Sequence, residues 1–269
     1  MYMGFNSDLV PTTGYVKYTK GLSDAPKYID WRDYGYVTAV KNQLGCGSCY
    51  IFSAIGHIEG IYAKKHNIPA ISLSEEQVLD CDPYDLGCFG GYPHGVFEVL
   101  GLMEDSNCYL IKQEGLMRED DYPYEGMQGD CMFDSSKMIV NVTGSKFFWD
   151  LSEEDMKDAV ANQGPISIAM EFTVKMFYIK TGRVYKPTSH DCTHKFLNHA
   201  VLIVGYGRDN DDDYWIIKNS WGTHWGDRGY MRIVRGSNAC LIGKAVHMGT
   251  TEYGPSGPLH ACDSPSRGS

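Results

Sequence analysis

The sequence predicts an α+β fold, a mainly helical half followed by a mainly β half with a cleft between the two layers. Two patterns predict it. From Cys49 onward, Ile51, Phe52, Ile55, Ile58, Ile61 and Tyr62 recur at three- and four-residue steps, the apolar face of a helix. After Pro165 the texture changes to short runs rich in Val, Ile, Tyr and Trp at 166–170, 200–205, 214–218 and 230–234, the pattern of strands. With 269 residues, 43% hydrophobic and 13% aromatic, the chain has enough apolar surface to bury a core, which excludes wholesale disorder.

In chain order, residues 1–24 read as an extended leader broken by Pro11, Gly14 and Gly21. A mainly helical lobe follows over 25–145. Within it Ser74 and Gln77 form a capping box that opens a short helix through Val78 and Leu79. The mainly β lobe spans 146–250 and holds a second box, Ser152 with Asp155, whose helix stops at Gly164-Pro165. The aspartate-rich tip 208–213 reads as a solvated hairpin loop; the oxygen-ligand spacing and the glycine are wrong for a calcium loop. The tail 251–269 is rich in Gly, Pro and Ser and reads as loosely ordered.

A net charge of −10, from 34 acidic against 24 basic residues, argues against a nucleic-acid partner. No run of about 18 apolar residues offers a membrane span. Nine cysteines point to an oxidising compartment with several disulfides, and the odd count leaves at least one thiol unpaired. Met1 to Val10 lacks the apolar stretch of a secretory signal, so the chain reads as a fragment of a longer precursor.

Cys46-Gly47-Ser48-Cys49, preceded by Gln43, is the most informative stretch. A C-x-x-C can be a redox pair, half of a zinc site, or a bridged cysteine beside a reactive one. Zinc needs a second ligand pair at short spacing, whereas Cys81 and Cys88 are seven apart with no suitable histidines nearby. A redox pair belongs after a strand in a βαβ unit, and none is visible. The third reading needs a histidine and an orienting amide or acid elsewhere. His199, at the start of an apolar strand, and Asn219, at the end of another, supply them.

On these motifs the chain resembles the papain-like cysteine proteases, in their cathepsin L-like branch. The resemblance spans roughly residues 26–249. It rests on Asp30-Trp31-Arg32, Gln43 with Cys46-Gly47-Ser48-Cys49, Gly87-Cys88-Phe89-Gly90-Gly91-Tyr92-Pro93, and Tyr122-Pro123-Tyr124. Asn198-His199-Ala200 and Asn219-Ser220-Trp221-Gly222 with Trp225-Gly226 complete it. It implies a papain-like two-lobed fold, with a mainly helical lobe and a β-barrel-like lobe, and a peptide-hydrolysing endopeptidase with no cofactor and no metal. Cys49 would be the nucleophile, a thiolate favoured by the helix dipole, and His199 its imidazolium partner and proton donor to the leaving amine. Asn219 would orient the imidazole, and Trp221 would shield that hydrogen bond from water. Gln43 and the Cys49 N–H would form the oxyanion hole.

The same resemblance implies a substrate cleft lined by Gly90 and Gly91. Its S2 pocket would have Tyr92 and Pro93 as one wall, Ala169, Asn198 and Ala200 as another, and Ala245 at the base. Leu or Phe at P2 is then expected over Arg. Tyr50 stands where Trp is usual, Leu44 and Phe89 replace a common Gly and Asn at the cleft rim, and Asn198 replaces a frequent acid, which would shift the pH profile. The implied disulfides are Cys46–Cys88, Cys81–Cys131 and Cys192–Cys240, with a fourth expected between Cys108, in an insertion at 103–114, and Cys262. Residues 1–24 resemble the end of a proregion and its connecting peptide; without the inhibitory helical part they should inhibit poorly. Asn141-Val142-Thr143 is a glycan acceptor sequence, and His57, His94 and His224 are read as structural. Implied partners are protein and peptide substrates and cystatin-type or propeptide inhibitors, the protein being a monomer of the lysosome or vacuole, or secreted. An inactive papain-fold binding or storage protein is the alternative, weighed down by the presence of Cys49, His199, Asn219 and Gln43 together.

Overall fold

The computed structural model describes residues 4–5, 16–21, 24–100, 115–179 and 182–253. The insertion 103–114, and with it Cys108, lies outside the described residues, as do Cys262 and most of the leader.

Helix α1 (Cys49–His66) forms where the periodicity places it, but it is buried on all sides as far as Ala63 rather than along one face. Small residues make this possible: Gly56 faces Leu202 and Gly60 faces the Pro165 ring, which a Cβ on Gly60 would approach to 2.6 Å. Asn67, in the left-handed conformation, ends the helix, and Lys64, Lys65 and His66 complement its dipole. Helix α2 (Glu75–Cys81) opens on Ser74, whose hydroxyl accepts the Gln77 N–H at 2.9 Å. Helix α3 (Pro93–Leu100) is not among the predicted elements. Proline at its first position forfeits no hydrogen bond, and Val96, Phe97, Val99 and Leu100 are buried. Helix α4 (Glu153–Gln163) opens on Ser152, which accepts the Asp155 N–H at 3.1 Å, and stops at Gly164.

The strands are β1 (Ile29–Asp30), β2 (Val140–Trp149), β3 (Ile166–Met170), β4 (Val184–Tyr185), β5 (His199–Asp209), β6 (Asp212–Lys218), β7 (Tyr230–Val234) and β8 (Ala245–Tyr253). They form one sheet in the order β2-β8-β3-β5-β6-β7-β4, with β1 on β5. The four predicted strands are β3, β5, β6 and β7. Residues 138–142 read as strand-like in the sequence, but the long β2–β8 ladder, from Val140↔Tyr253 to Trp149↔Ala245, was not anticipated, and β8 carries pairing into the segment expected as a loose tail. Gly, Asn and Ser blur the alternation of β2, so its strand character comes from its partner. The aspartate-rich tip is tighter than expected: β5 and β6 pair as far as Asp209↔Asp212, leaving Asn210 and Asp211 to turn.

Among the described residues three apolar clusters result, the smallest formed by Leu202, Val204, Tyr214 and Ile216; the two larger ones hold the fold together. One, around Met156, Val160, Ile168, Ile203, Trp215 and Ile217, joins α4 to the sheet. The other surrounds α1 with Tyr50, Ile55, Leu79, Phe97 and Phe147. Disulfides Cys46–Cys88, Cys81–Cys131 and Cys192–Cys240 form as the resemblance implies, and Cys49 is free.

Candidate active site

Cys49 is the first residue of α1, a helix whose N-cap, Ser48, makes no side-chain cap. The Ser48 hydroxyl is instead paired with the Tyr124 hydroxyl at 2.7 Å. The Ile51 N–H donates to Ser48 O at 2.9 Å, and the N–H groups of Cys49 and Tyr50 act on the Cys49 side chain. The turn before it is held by the Cys46–Cys88 bridge and by the Gly47 N–H donating to Cys88 O at 2.8 Å.

His199 opens β5 and Asn219 follows the last residue of β6, so adjacent strands bring them together. Asn219 Oδ1 accepts the Ser220 N–H at 2.8 Å and lies 2.9 Å from His199 Nε2. Because Ser220 fixes that oxygen as the acceptor, Nε2 of His199 is the protonated nitrogen and Nδ1 carries the free lone pair. Nδ1 is buried and without a hydrogen-bond partner. Trp221 stacks on the imidazole at 4.7 Å, Phe172 meets it edge-on at 5.1 Å, and Phe177 stacks on Trp221 at 5.0 Å. Gln43 is oriented the same way. Its Oε1 accepts from Ser220 Oγ at 2.6 Å and Trp221 Nε1 at 3.1 Å, which turns Nε2 toward Cys46 O at 2.9 Å. Ser220, to which sequence reasoning gave no role, thus aligns both amides.

Behind Asn219 a buried ionic group ties the halves together. Lys41 Nζ donates to Glu59 at 2.9 Å and to Glu75 at 2.8 Å. Lys218 Nζ donates to the Thr38 hydroxyl at 2.9 Å, which donates in turn to Glu59 at 2.5 Å.

Residues Gly4 and Phe5 cover the site. Gly4 N–H and Ala200 N–H both donate to Cys49 Sγ at 3.4 Å. Gly4 O accepts the Gly91 N–H at 2.8 Å, and Phe5 pairs with Gly91 in parallel sense. The Phe5 ring meets Tyr92 at 5.4 Å and is 8% exposed. It shares one buried cluster with Tyr92, Ala169, Ala200 and Ala245. The three alanines lie abreast on neighbouring strands, Ala200↔Ala169↔Ala245. Pro93 begins α3 beside Tyr92, and Gly90 (φ 116) faces the Gly4 carbonyl.

Asn198 differs from expectation. Its side chain turns away to clamp Phe172, accepting that N–H at 2.7 Å and donating to its carbonyl at 3.0 Å. Only its backbone carbonyl reaches the cleft, accepting the Phe5 N–H at 3.4 Å. Leu44 and Phe89 are exposed as rim residues. Asn141 lies on β2 opposite Glu252 and is 8% exposed. His57 has partners the sequence did not reveal: Nδ1 donates to Pro165 O and Nε2 accepts the Gly249 N–H, both at 2.7 Å. His94 lies 3.1 Å from Glu98, and His224 is exposed.

Under this cover, burial decides the electrostatics. It pushes the Cys49 thiol up to about 11, against the N–H groups of Ala200, Gly4, Tyr50 and Cys49 itself. It pushes His199 down to about 4, against the pull of Asn219. Both are therefore neutral here; desolvation outweighs the helix dipole that favours a thiolate.

Similarity to known proteins agrees with this arrangement. The sequence pattern described as papain family cysteine protease matches residues 25–250. A viral cathepsin from Adoxophyes honmai nucleopolyhedrovirus is 41% identical over 228 residues, 85% of this chain and 63% of the relative. A cathepsin L-like proteinase of Fasciola hepatica is 41% identical over 230 residues, covering 84% of this chain and 66% of the relative. The solved digestive procathepsin L2 proteinase from Tenebrio molitor larval midgut superposes with a TM-score of 0.80 at 33% identity, over 93% of this chain and 78% of that one. This chain thus spans less than two thirds of the length of these viral and Fasciola relatives.

Proposed function

Because the chain belongs to the papain family of cysteine proteases, we propose that it is an endopeptidase hydrolysing peptide bonds through Cys49, His199, Asn219 and Gln43. One observation carries this reading: the hydrogen-bond network leaves a bare lone pair on buried His199 Nδ1 while the free Cys49 thiol stands at an uncapped helix start.

Once Gly4 and Phe5 leave, water and substrate restore polarity to the cleft, and proton transfer from Cys49 to Nδ1 gives a thiolate and an imidazolium. The thiolate attacks the scissile carbonyl. The resulting oxyanion is met by Gln43 Nε2 and the Cys49 N–H. The imidazolium then protonates the leaving amine, and water, deprotonated by the same nitrogen, hydrolyses the acyl-enzyme. Gly4 is not attacked because its N–H, not its carbonyl carbon, faces the sulfur. A chain paired with Gly91 in the opposite sense would reverse that relation. Phe5 supports an apolar P2 preference, since it occupies the cluster formed by Tyr92 and the three alanines. The leader fits a proregion remnant, and disulfides fit a secreted or lysosomal location. The intact set gives no support to an inactive family member.

The test is labelling with an epoxide inhibitor together with cleavage of matched fluorogenic peptides. Modification confined to Cys49, loss of cleavage in Cys49→Ser, and faster turnover of Phe than Arg at P2 are expected. Turnover of Cys49→Ser within tenfold of the parent would overturn the role of Cys49, and Arg cleaved faster than Phe would overturn the pocket.

A further inference from the structure

Behind the Tyr92 wall lies a histidine that the reaction does not use. His247, two residues after Ala245 on β8, is fully buried. Its ring stacks on Phe147, with centroids 4.8 Å apart and planes 5° from parallel, and meets Tyr92 at right angles at 4.7 Å. Tyr92 in turn contacts Phe5 in the cleft. Among the described residues, neither ring nitrogen of His247 has a hydrogen-bond partner.

A neutral imidazole carries one donor and one acceptor, and an apolar ring would fill the same space without leaving them unsatisfied. The surroundings offer no relief. From α3, His94 lies 6.4 Å away, its Nδ1 also buried and unpartnered and its Nε2 turned to Glu98. From α1, His57 has both nitrogens engaged, by Pro165 and Gly249. From β2 comes only the Phe147 ring, and from β3 the register partner Ser167, whose hydroxyl is paired with Ser53. Among the described residues the His247 side chain is therefore held by ring packing, without a hydrogen bond. A proton would put a second donor and a positive charge beside two other histidines, with no carboxylate among the described residues in contact to balance it.

We propose that His247 is a specificity-determining residue of the P2 pocket: neutral, it backs the Tyr92 wall, and protonated, it withdraws that support, so the preference for a large apolar P2 side chain declines in acid. The proposal rests on the protease reading above. Burial, reinforced by His94 and His57, holds the imidazole well below its ordinary range, which confines the change to the acid limb.

The ionisations of Cys49 and His199 act on every substrate alike, so a ratio of two substrates cancels them. The measurement is kcat/KM for peptides differing only in Leu or Ala at P2, between pH 6.5 and pH 4. An apolar pocket discriminates by roughly 10–200-fold per methylene. That preference should decline as the pH is lowered toward 4 in the wild type and stay constant in His247→Phe. A flat wild-type ratio, or an equal decline in the variant, overturns the proposal. If His247→Phe does not fold, His247→Gln, which cannot take up the proton, carries the same expectation. Should no peptide be cleaved at any pH, the protease reading fails separately. NMR titration of the wild type then decides this proposal: Tyr92 ring resonances that move with the His247 titration support it, and unmoved ones overturn it.

Discussion

Two side-chain amides determine which atoms face the cleft. Each is pinned through its oxygen, Asn219 by the Ser220 N–H and Gln43 by the Ser220 hydroxyl and the Trp221 indole. The pinning sets a tautomer in one case and aims a donor in the other, and neither effect is visible from residue type alone. It also gives a sharp prediction. Gln43→Glu keeps the acceptor oxygen for Ser220 and Trp221 but removes the donor from the oxyanion position. Turnover should fall about 10²–10³-fold, the usual result of losing one such donor. Alkylation of Cys49 by iodoacetamide, which develops no oxyanion, should be little changed. Equal losses in both reactions would mean that Gln43 acts by holding the structure.

At the scale of elements, the site is a meeting of a helix start, two strand ends and a two-residue cover. The cover works because Gly4 has no side chain: a Cβ there would collide with the Gly47 carbonyl. Residues 16–21 add an anchor, since Tyr18 Oη donates to Asp158 at 2.6 Å and the Gly21 N–H does so at 2.7 Å. This is close contact with the sulfur for a segment expected to inhibit poorly. Gly4→Ala should expose Cys49 and speed its labelling, by about tenfold for each 1.4 kcal/mol of lost contact. Stopped-time labelling of the two proteins checks this, and identical rates would show that the cover does not limit access.

For the whole molecule, His57 is a clasp. It joins α1 to the link before β3 through Pro165 and to β8 through Gly249. Burial pushes it down to about 4 from its ordinary 6.5. The folded state therefore holds it neutral where the unfolded chain would protonate it. The resulting stability is complete above pH 6.5 and is lost as pH falls toward 4. Relative to His57→Gln, the wild type should lose about 1.4 kcal/mol for each pH unit between 6 and 4.5, measured by urea unfolding. Parallel curves for the two proteins would place the acid sensitivity elsewhere.

Much of this architecture was legible in the sequence because it follows from local chemistry. Periodicity marks α1, hydroxyl caps mark α2 and α4, and β-branched runs mark four strands. The ordered motifs around Cys49, His199 and Asn219 identify the family. The β2–β8 ladder and α3 were not legible, because their stability comes from partners distant in the chain and not from their own pattern. Nor was the outward turn of Asn198, which depends on Phe172 lying 26 residues away. Which residues are candidates for the site, Ser220 apart, was thus legible in the sequence itself. Their tautomers, charge states and cover were decided by the tertiary structure, since burial and hydrogen-bond partners exist only once the strands and α1 have met.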